Sequence, residues 1–312
     1  MKMKPTLILT ISIIMLLMTA CGKKHDNTVK IAQQYGLAYA PIQIMKEKGF
    51  LEEALPNNKI EWVKLSNTAA IREAVLADNL DVGFMGIPPF LIALDNGMEW
   101  KMMTGLSSCP IGLVTYDDNI KTLKDFTSKD KIALPQPGSI QHILLAMACE
   151  RELGKADALD NQLVSMKHPD GFQALTAKQD IKAHFTSPPY LFEELANEDN
   201  HMVITGEEAM GSEFTFIAGA CTEDFYTNNK KEYSALIKAI NKSIEFMINN
   251  EDETLDILSN LYEMDKEKLK GYLNYEGMKY ATDIQGVDKF VDFMVRNNYL
   301  NKSYKSEEVI WE

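Results

Sequence analysis

Arginine is scarce in this sequence. The 312 residues contain three arginines, Arg72, Arg151 and Arg296, and none of them falls in a segment that we assign below to a ligand-binding loop. The guanidinium group is the side chain that grips a carboxylate through two parallel hydrogen bonds. The composition therefore argues against a bidentate arginine clamp on a ligand.

Cysteine and histidine are also few, with four and five copies. Cys109, Cys149 and Cys221 are far apart in sequence, and an odd number of thiols cannot all pair with one another. We interpret these three as small buried side chains. Neither a Cys-x-x-Cys pair nor a His-x-x-x-His spacing occurs, so we expect no metal site and no cofactor.

Long apolar runs are missing except at the start, where Leu7 to Met18 follow Lys2 and Lys4. This layout predicts a secretory signal peptide over residues 1–20. Leu17-Met-Thr-Ala-Cys21 resembles the lipobox of bacterial lipoproteins, which implies lipidation of Cys21 and a tether over 21–28. The alternative, a membrane-spanning anchor, needs roughly 20 apolar residues. We therefore expect an extracytoplasmic protein held to the bacterial cell membrane by lipid alone.

The charge balance is acidic. The formal net charge of −13 becomes −15 once the two lysines of the leader are removed. Such a charge argues against nucleic acid or an anionic lipid surface as the partner, but it permits a small anion in a local pocket. The length suits two lobes.

One segment carries most of the functional signal. Lys131–Leu134 reads as a strand, Gly138 can adopt positive φ, and Ser139 is a good N-cap for the helix that follows. Such a turn leaves backbone N–H groups at the carboxyl end of a strand, where the helix dipole favours anionic or polar groups. The segment therefore predicts a ligand contact.

The same strand–loop–helix unit recurs along the chain, which predicts parallel sheets. The other units begin with strands at Val29–Gln33, Ile60–Lys64, Asp81–Met85 and Ile181–Phe185, and their helices start near Pro41, Ser66–Thr68, Gly86–Pro89 and Thr186–Pro189. We infer an α/β protein with a discontinuous first lobe (29–116 and 213–312) and an inserted second lobe (117–212). Two chain crossings would form a hinge beside a ligand crevice.

These segments, taken in order, also resemble a known family. Gln34-Tyr-Gly-Leu-Ala-Tyr-Ala-Pro41, Asp81 to Pro89, Pro137 to His142 and Ile181 to Pro189 look like the extracytoplasmic solute-binding proteins of ABC importers, in the nitrate, sulfonate, taurine and thiamine-pyrimidine branch. The resemblance implies a type II periplasmic-binding-protein fold. It also implies a monomer that captures one small molecule, without chemistry, and delivers it to a permease powered by an ATPase.

The resemblance implies a small anion such as an alkanesulfonate, taurine or nitrate. A thiamine-related pyrimidine stacked on Tyr35 or Tyr39 is the alternative. Thiamine-pyrimidine binders usually carry Asp-Trp-x-x-Asn near this loop, whereas this chain has Gln34-Tyr-Gly-Leu-Ala38. A third alternative is an enzyme on the same bilobal fold, but Gly-x-Ser-x-Gly, a P-loop and paired carboxylates in the predicted loops are all missing.

We predict ligand contacts from the loops and helix starts of both lobes. The predicted residues are Gln34, Tyr35, Tyr39, Ser66, Asn67, Thr68, Gly86, Ile87, Pro88, Gly138, Ser139, Gln141, His142, His184, Thr186 and Ser187. His142, beside the positive end of a helix dipole, is expected to be neutral and to offer a hydrogen bond. His184 suits either the cleft or the core. His168 is interpreted as a turn residue near the cleft, and Phe90 as core.

Overall fold

The structure is a computed structural model that describes residues 27–34, 36–65 and 68–311. The predicted signal peptide (1–20), Cys21, Tyr35, Ser66 and Asn67 lie outside these ranges. The predictions made for them therefore remain predictions.

Strands and helices alternate through the first two thirds of the chain, and helices follow. The strands are β1 (Thr28–Gln33), β2 (Lys59–Lys64), β3 (Val82–Met85), β4 (Trp100–Ser107), β5 (Gly112–Thr115), β6 (Lys131–Leu134), β7 (Leu163–Ser165), β8 (Ile181–Thr186), β9 (His201–Thr205) and β10 (Ile217–Thr222). The α-helices are α1 (Ala40–Glu47), α2 (Phe50–Ala54), α3 (Thr68–Leu76), α4 (Ile87–Asp95), α5 (Ile140–Leu153), α6 (His168–Thr176), α7 (Tyr190–Leu195), α8 (Gly206–Met210), α9 (Glu223–Asn228), α10 (Lys230–Asn249), α11 (Glu251–Tyr262), α12 (Lys266–Leu273), α13 (Val287–Arg296) and α14 (Ser306–Val309). Short 3-10 helices cover Leu37–Tyr39, Leu123–Asp125 and Asp160–Gln162.

The strands form two five-stranded sheets, with orders β2-β1-β3-β10-β4 and β7-β6-β8-β5-β9. The runs β2-β1-β3 and β7-β6-β8 are parallel, as the recurring strand–helix unit predicts. β10 and β5 run antiparallel to their neighbours, so each sheet is mixed. We call the parts built on the two sheets the first and second lobes.

The predicted lobe boundary at residue 116 is wrong. β5 hydrogen-bonds to β8 and β9 and therefore belongs to the second lobe, not the first. The chain crosses between the sheets after β4 and again before β10. The second crossing includes Phe214 and Thr215, which precede β10. There Phe214 O accepts from Ser108 Oγ at 2.9 Å and Thr215 N donates to Gln285 O, so pairing begins at Ile217.

Apolar side chains fill both lobes. Phe90 is buried against Trp100 and belongs to the core. Cys109, Cys149 and Cys221 are buried thiols without a disulfide partner among the described residues. Burial raises the pKa of Cys149 and of Cys221 to about 12, which keeps both protonated and unreactive. Within the described ranges, no helix combines the length and apolar composition that crossing a membrane requires.

Candidate functional site

A cavity of about 430 Å³ lies between the two lobes. Its volume is in the range of small-molecule sites. The first lobe contributes Gln34, Gly36, Ala38, Tyr39, Lys64, Leu65, Thr68, Gly86, Pro89, Phe216 and Ile217, and the second contributes Pro135, Gln136, Ser139, Ile140, Gln141, Lys167, His168, Pro169, Ser187, Pro188 and Tyr190. We call this space the cleft cavity.

Helix starts from both lobes meet at the cleft cavity. Thr68 opens α3, Gly86 is the N-cap of α4, Ser139 is the N-cap of α5, and Lys167 is the N-cap of α6. All four residues line the space. Because the first backbone N–H groups of a helix have no partner within it, this convergence supplies donors and a positive potential.

The lobes approach each other closely where these helices begin. A Cβ atom added at Gly86 would lie 3.2 Å from Cβ of Ile140, which belongs to the other lobe. A side chain at position 86 would therefore push the lobes apart. The missing Cβ lets the starts of α4 and α5 reach the same space.

The charged side chains that line the cleft cavity are two lysines, Lys64 at the end of β2 and Lys167 before α6. No aspartate or glutamate of the described residues lines it, although the protein as a whole carries −13. Neither lysine forms an ion pair with another described residue. The local electrostatics therefore oppose those of the whole molecule and favour an anion.

Seven of the predicted ligand contacts line the cleft cavity. They are Gln34, Tyr39, Thr68, Gly86, Ser139, Gln141 and Ser187. Gln34 Nε2 donates to Phe84 O at 2.8 Å, which fixes that amide at the edge of β3. Burial, and secondarily the nearby Cys109, raise the pKa of Tyr39, so this phenol remains a neutral hydrogen-bonding group.

Gly138 and His142 do not line the cleft cavity. Gly138 N–H donates to Nδ1 of His142 at 3.0 Å, and Nε2 of that ring lies 3.3 Å from Asp160 Oδ1. The ring also packs edge-on against Tyr299. Since Nδ1 accepts this hydrogen bond, the ring hydrogen is on Nε2. His142 therefore offers its hydrogen bond to Asp160 rather than towards the cavity.

Ile87, Pro88, His184 and Thr186 also lie away from the cavity surface. Ile87 and Pro88 are buried in the first turn of α4, where the next residue, Pro89, faces the space instead. His184 is fully buried in β8, with Nδ1 2.6 Å from Glu194 Oε1. Thr186 Oγ1 lies 3.2 Å from Nδ1 of His168, within hydrogen-bonding distance of that ring.

Sequence reasoning missed Lys64, Lys167 and Tyr190, and it left His168 out of the predicted contacts. Lys167 and His168 follow β7 and open α6, so the same strand–helix signal marks them. Lys64 is the last residue of β2. Tyr190 stacks on His168 with ring centroids 6.2 Å apart. In open α/β sheets, ligands bind outside the carboxyl ends of the strands. Examining the residues after every predicted strand would therefore have identified the two lysines and the histidine.

The donor set does not resemble a metal site. Within the part of the chain that the structure describes, no group of three or more His, Cys, Asp or Glu side chains is placed to hold a metal ion. Hydroxyl, amide and imidazole groups share the cavity wall with Leu65, Ile140 and Phe216. Such a surface can bind an anionic head group and cover an apolar tail.

One family profile and one curated relative match most of this chain. The sequence profile of the NMT1-like family matches residues 22–258. A putative aliphatic sulfonates-binding protein of Bacillus subtilis (strain 168) is 24% identical over 327 aligned positions, which cover 99% of this chain and 95% of that protein.

Solved structures share the fold at low identity. The alkanesulfonate-binding protein SsuA from Xanthomonas axonopodis pv. citri, bound to MOPS, aligns with a TM-score of 0.75 at 18% identity, covering 91% of this chain and 98% of that one. The periplasmic nitrate-binding protein NrtA from Synechocystis PCC 6803 aligns with a TM-score of 0.70 at 16% identity, covering 92% and 86%. The predicted two-lobed periplasmic-binding-protein fold is confirmed.

Proposed function

The chain belongs to the NMT1-like family, and from that premise we propose that it is the substrate-binding protein of an ABC importer that captures a small anion in the cleft cavity. The observation that carries the proposal is the charge of the cavity wall, which Lys64 and Lys167 line and which no aspartate or glutamate of the described residues lines. A positive cavity in an acidic protein concentrates anions at one place.

The shape and lining favour an alkanesulfonate over nitrate. A cavity of about 430 Å³ exceeds what a four-atom anion fills, and Leu65, Ile140 and Phe216 offer an apolar wall for a hydrocarbon tail. Sulfonate oxygens accept hydrogen bonds and donate none, which matches a site built from helix N-termini, hydroxyls and ammonium groups. The relatives whose names mention sulfonates support the same ligand class.

In this role the protein binds and releases its ligand without changing it. The lobes would close on the anion by rotation about the two crossing segments, and the closed form would deliver it to a permease. Lipidation at Cys21 would keep the protein at the outer face of the cell membrane. The protein would act there as a monomer.

Isothermal titration calorimetry with ethanesulfonate tests the proposal, with ethyl methyl sulfone as an uncharged control of similar shape. We expect ethanesulfonate to bind and the sulfone to bind at least tenfold more weakly. Equal affinity for the two compounds, or no binding of any sulfonate, taurine or nitrate, would overturn it. Fluorescence titration with a thiamine-type pyrimidine tests the heteroaromatic alternative. Tyr39 and Tyr190 line the same space, so a pyrimidine bound there would change tyrosine fluorescence.

A further inference from the structure

Three side chains connect the interior of the second lobe to the cleft cavity. Oε1 of Glu194, in α7, lies 2.6 Å from Nδ1 of His184, in β8. Nε2 of His184 lies 3.3 Å from Nδ1 of His168, the first residue of α6. His168 is half-buried and lines the cavity, whereas Glu194 and His184 are almost completely buried. We call this series the Glu194 relay.

The surroundings of Glu194 favour its neutral form. Oε2 is buried and has no hydrogen-bond partner among the described residues. An ionised carboxylate in the interior needs partners on both oxygens, because desolvation of the charge is otherwise uncompensated. In agreement, burial raises the pKa of Glu194 from its ordinary 4.5 to about 9.

Because Oε2 has no partner among the described residues to receive a hydrogen bond, the hydrogen of a neutral Glu194 is on Oε1, and this fixes the direction of the hydrogen bonds in the relay. Its O–H donates to Nδ1 of His184, so the hydrogen of that neutral ring is on Nε2. Nε2–H then donates to Nδ1 of His168, which therefore carries its own hydrogen on Nε2. Burial lowers the pKa of His184 to about 3, and burial and the proximity of His184 lower the pKa of His168 to about 3, so neither ring is cationic near neutral pH.

The hydroxyl of Thr186 reinforces this direction, since it lies 3.2 Å from Nδ1 of His168 and can donate to it. On the cavity side, Nε2 of His168 lies 3.3 Å from Ser187 Oγ and 3.2 Å from the amide nitrogen, Nε2, of Gln141. A half-turn of that amide brings its oxygen to the ring nitrogen as acceptor. The ring thus presents an N–H to acceptor groups.

We propose that Glu194 and His184 are positioning residues that hold His168 as a neutral hydrogen-bond donor to the anionic group of the ligand. This inference rests on the proposed function, because it identifies which histidine nitrogen meets the anion and why. The opposite polarity, with an ionised Glu194 accepting from His184, would turn a lone pair of His168 towards the ligand and repel it.

The close packing of α6 on β8 depends on Gly171. A Cβ atom added there would lie 2.6 Å from Nε2 of His184, the atom that donates to His168. Glycine therefore permits the relay, and a larger residue would press on its central ring.

The tautomers can be measured without any ligand. In ¹⁵N-histidine-labelled protein at pH 7, long-range ¹H–¹⁵N spectra distinguish a protonated ring nitrogen from a bare one, and comparison with His168→Gln assigns the signals. We expect a protonated Nε2 and a bare Nδ1 in His168. The reverse assignment would overturn the relay whatever the protein binds.

Two substitutions of Glu194 then test its effect on binding of ethanesulfonate. Glu194→Gln keeps an N–H donor towards His184, so we expect affinity within twofold of the parent. Glu194→Met removes the donor at similar size. We expect its affinity to be at least tenfold lower, while a cooperative thermal unfolding transition shows that the variant is folded.

Equal losses of affinity in both variants would mean that an ionised carboxylate is required, and no loss in Glu194→Met would mean that the relay does not determine ligand affinity. If the parent protein binds no sulfonate while the tautomer is as expected, the proposed function fails and the relay stands.

Discussion

The ring of Phe192, in α7 of the second lobe, lies 4.4 Å from the ring of Tyr275, which follows α12 of the first lobe, measured between centroids. Phe192 also contacts Tyr272 at 4.8 Å. Beside them Lys268 Nζ pairs with Glu193 at 2.5 Å. These contacts join α7 of the second lobe to α12 of the first lobe and the residues that follow it, so they stabilise the arrangement in which the lobes are together.

We therefore expect Phe192→Ala to shift the ligand-free protein towards separated lobes. Aromatic pairs contribute about 0.5–1.5 kcal/mol beyond their buried area, so affinity for the anion should fall roughly three- to tenfold. Small-angle scattering should show a larger radius of gyration without ligand. Phe246→Ala is the control, because Phe246 pairs with Phe50 inside the first lobe. An unchanged radius in the Phe192 variant would show that this contact does not hold the lobes together.

The two cavity lysines give a second prediction. Lys64→Met and Lys167→Met should each weaken binding of ethanesulfonate about two- to fivefold, because exposed charge pairs contribute up to about 1 kcal/mol. The losses should shrink at high salt. Lys129→Met changes the net charge equally at an exposed position that does not line the cavity. If this control loses as much affinity, the effect comes from overall charge rather than from the cavity.

Ser139 gives a third prediction, because it is both a helix cap and a cavity residue. Its Oγ accepts from His142 N at 3.3 Å. Ser139→Ala should lower the free energy of unfolding by about 1 kcal/mol and should also weaken ligand binding. Thr205, the N-cap of α8, accepts from Glu208 N at 3.1 Å and lies outside the cavity. Thr205→Ala should cost similar stability with unchanged affinity, and a matching loss of affinity there would assign the Ser139 effect to stability alone.

Local signals predicted the helix starts correctly, because they depend on neighbours in sequence. Ser139 caps α5 and Gly86 caps α4 where the N-cap rules place them. The lobe boundary depends on distant pairing instead. β5 is a run of four buried residues that would fit either sheet, and only its partners in β8 and β9 decide its lobe.

Side-chain direction was the less predictable part of the site. The backbone N–H of Gly138 and the carboxylate of Asp160 hold the ring of His142 away from the cavity, although its position in the first turn of α5 suggested a ligand contact. His168 reaches the cavity because β7 lies beside β6 and Gly171 allows α6 to approach β8. The strand-end pattern marks the position of His168, but the direction in which either ring points is not visible without the fold.

The pH dependence of folding stability gives the last prediction, and it concerns Glu194. Its pKa is raised by burial from 4.5 to about 9 in the folded protein. Below pH 4.5 both states hold the proton, and the group has no differential effect. Between pH 4.5 and about 9 the unfolded chain releases that proton while the folded protein keeps it, so stability falls as pH rises, by about 1.4 kcal/mol for each pH unit at most.

Glu194→Gln removes this titration and leaves His168 and His184 in place. The free energy of unfolding of Glu194→Gln minus that of the parent should therefore increase steadily from pH 5 to pH 9, as measured by urea unfolding at several pH values. Glu193→Gln, on the same helix but paired with Lys268 at its surface, reports the effect of losing a carboxylate that is not buried. A difference for Glu194→Gln that stays constant across this range would show that the folded protein ionises Glu194 as readily as the unfolded chain, and the neutral carboxyl at the base of the relay would be excluded.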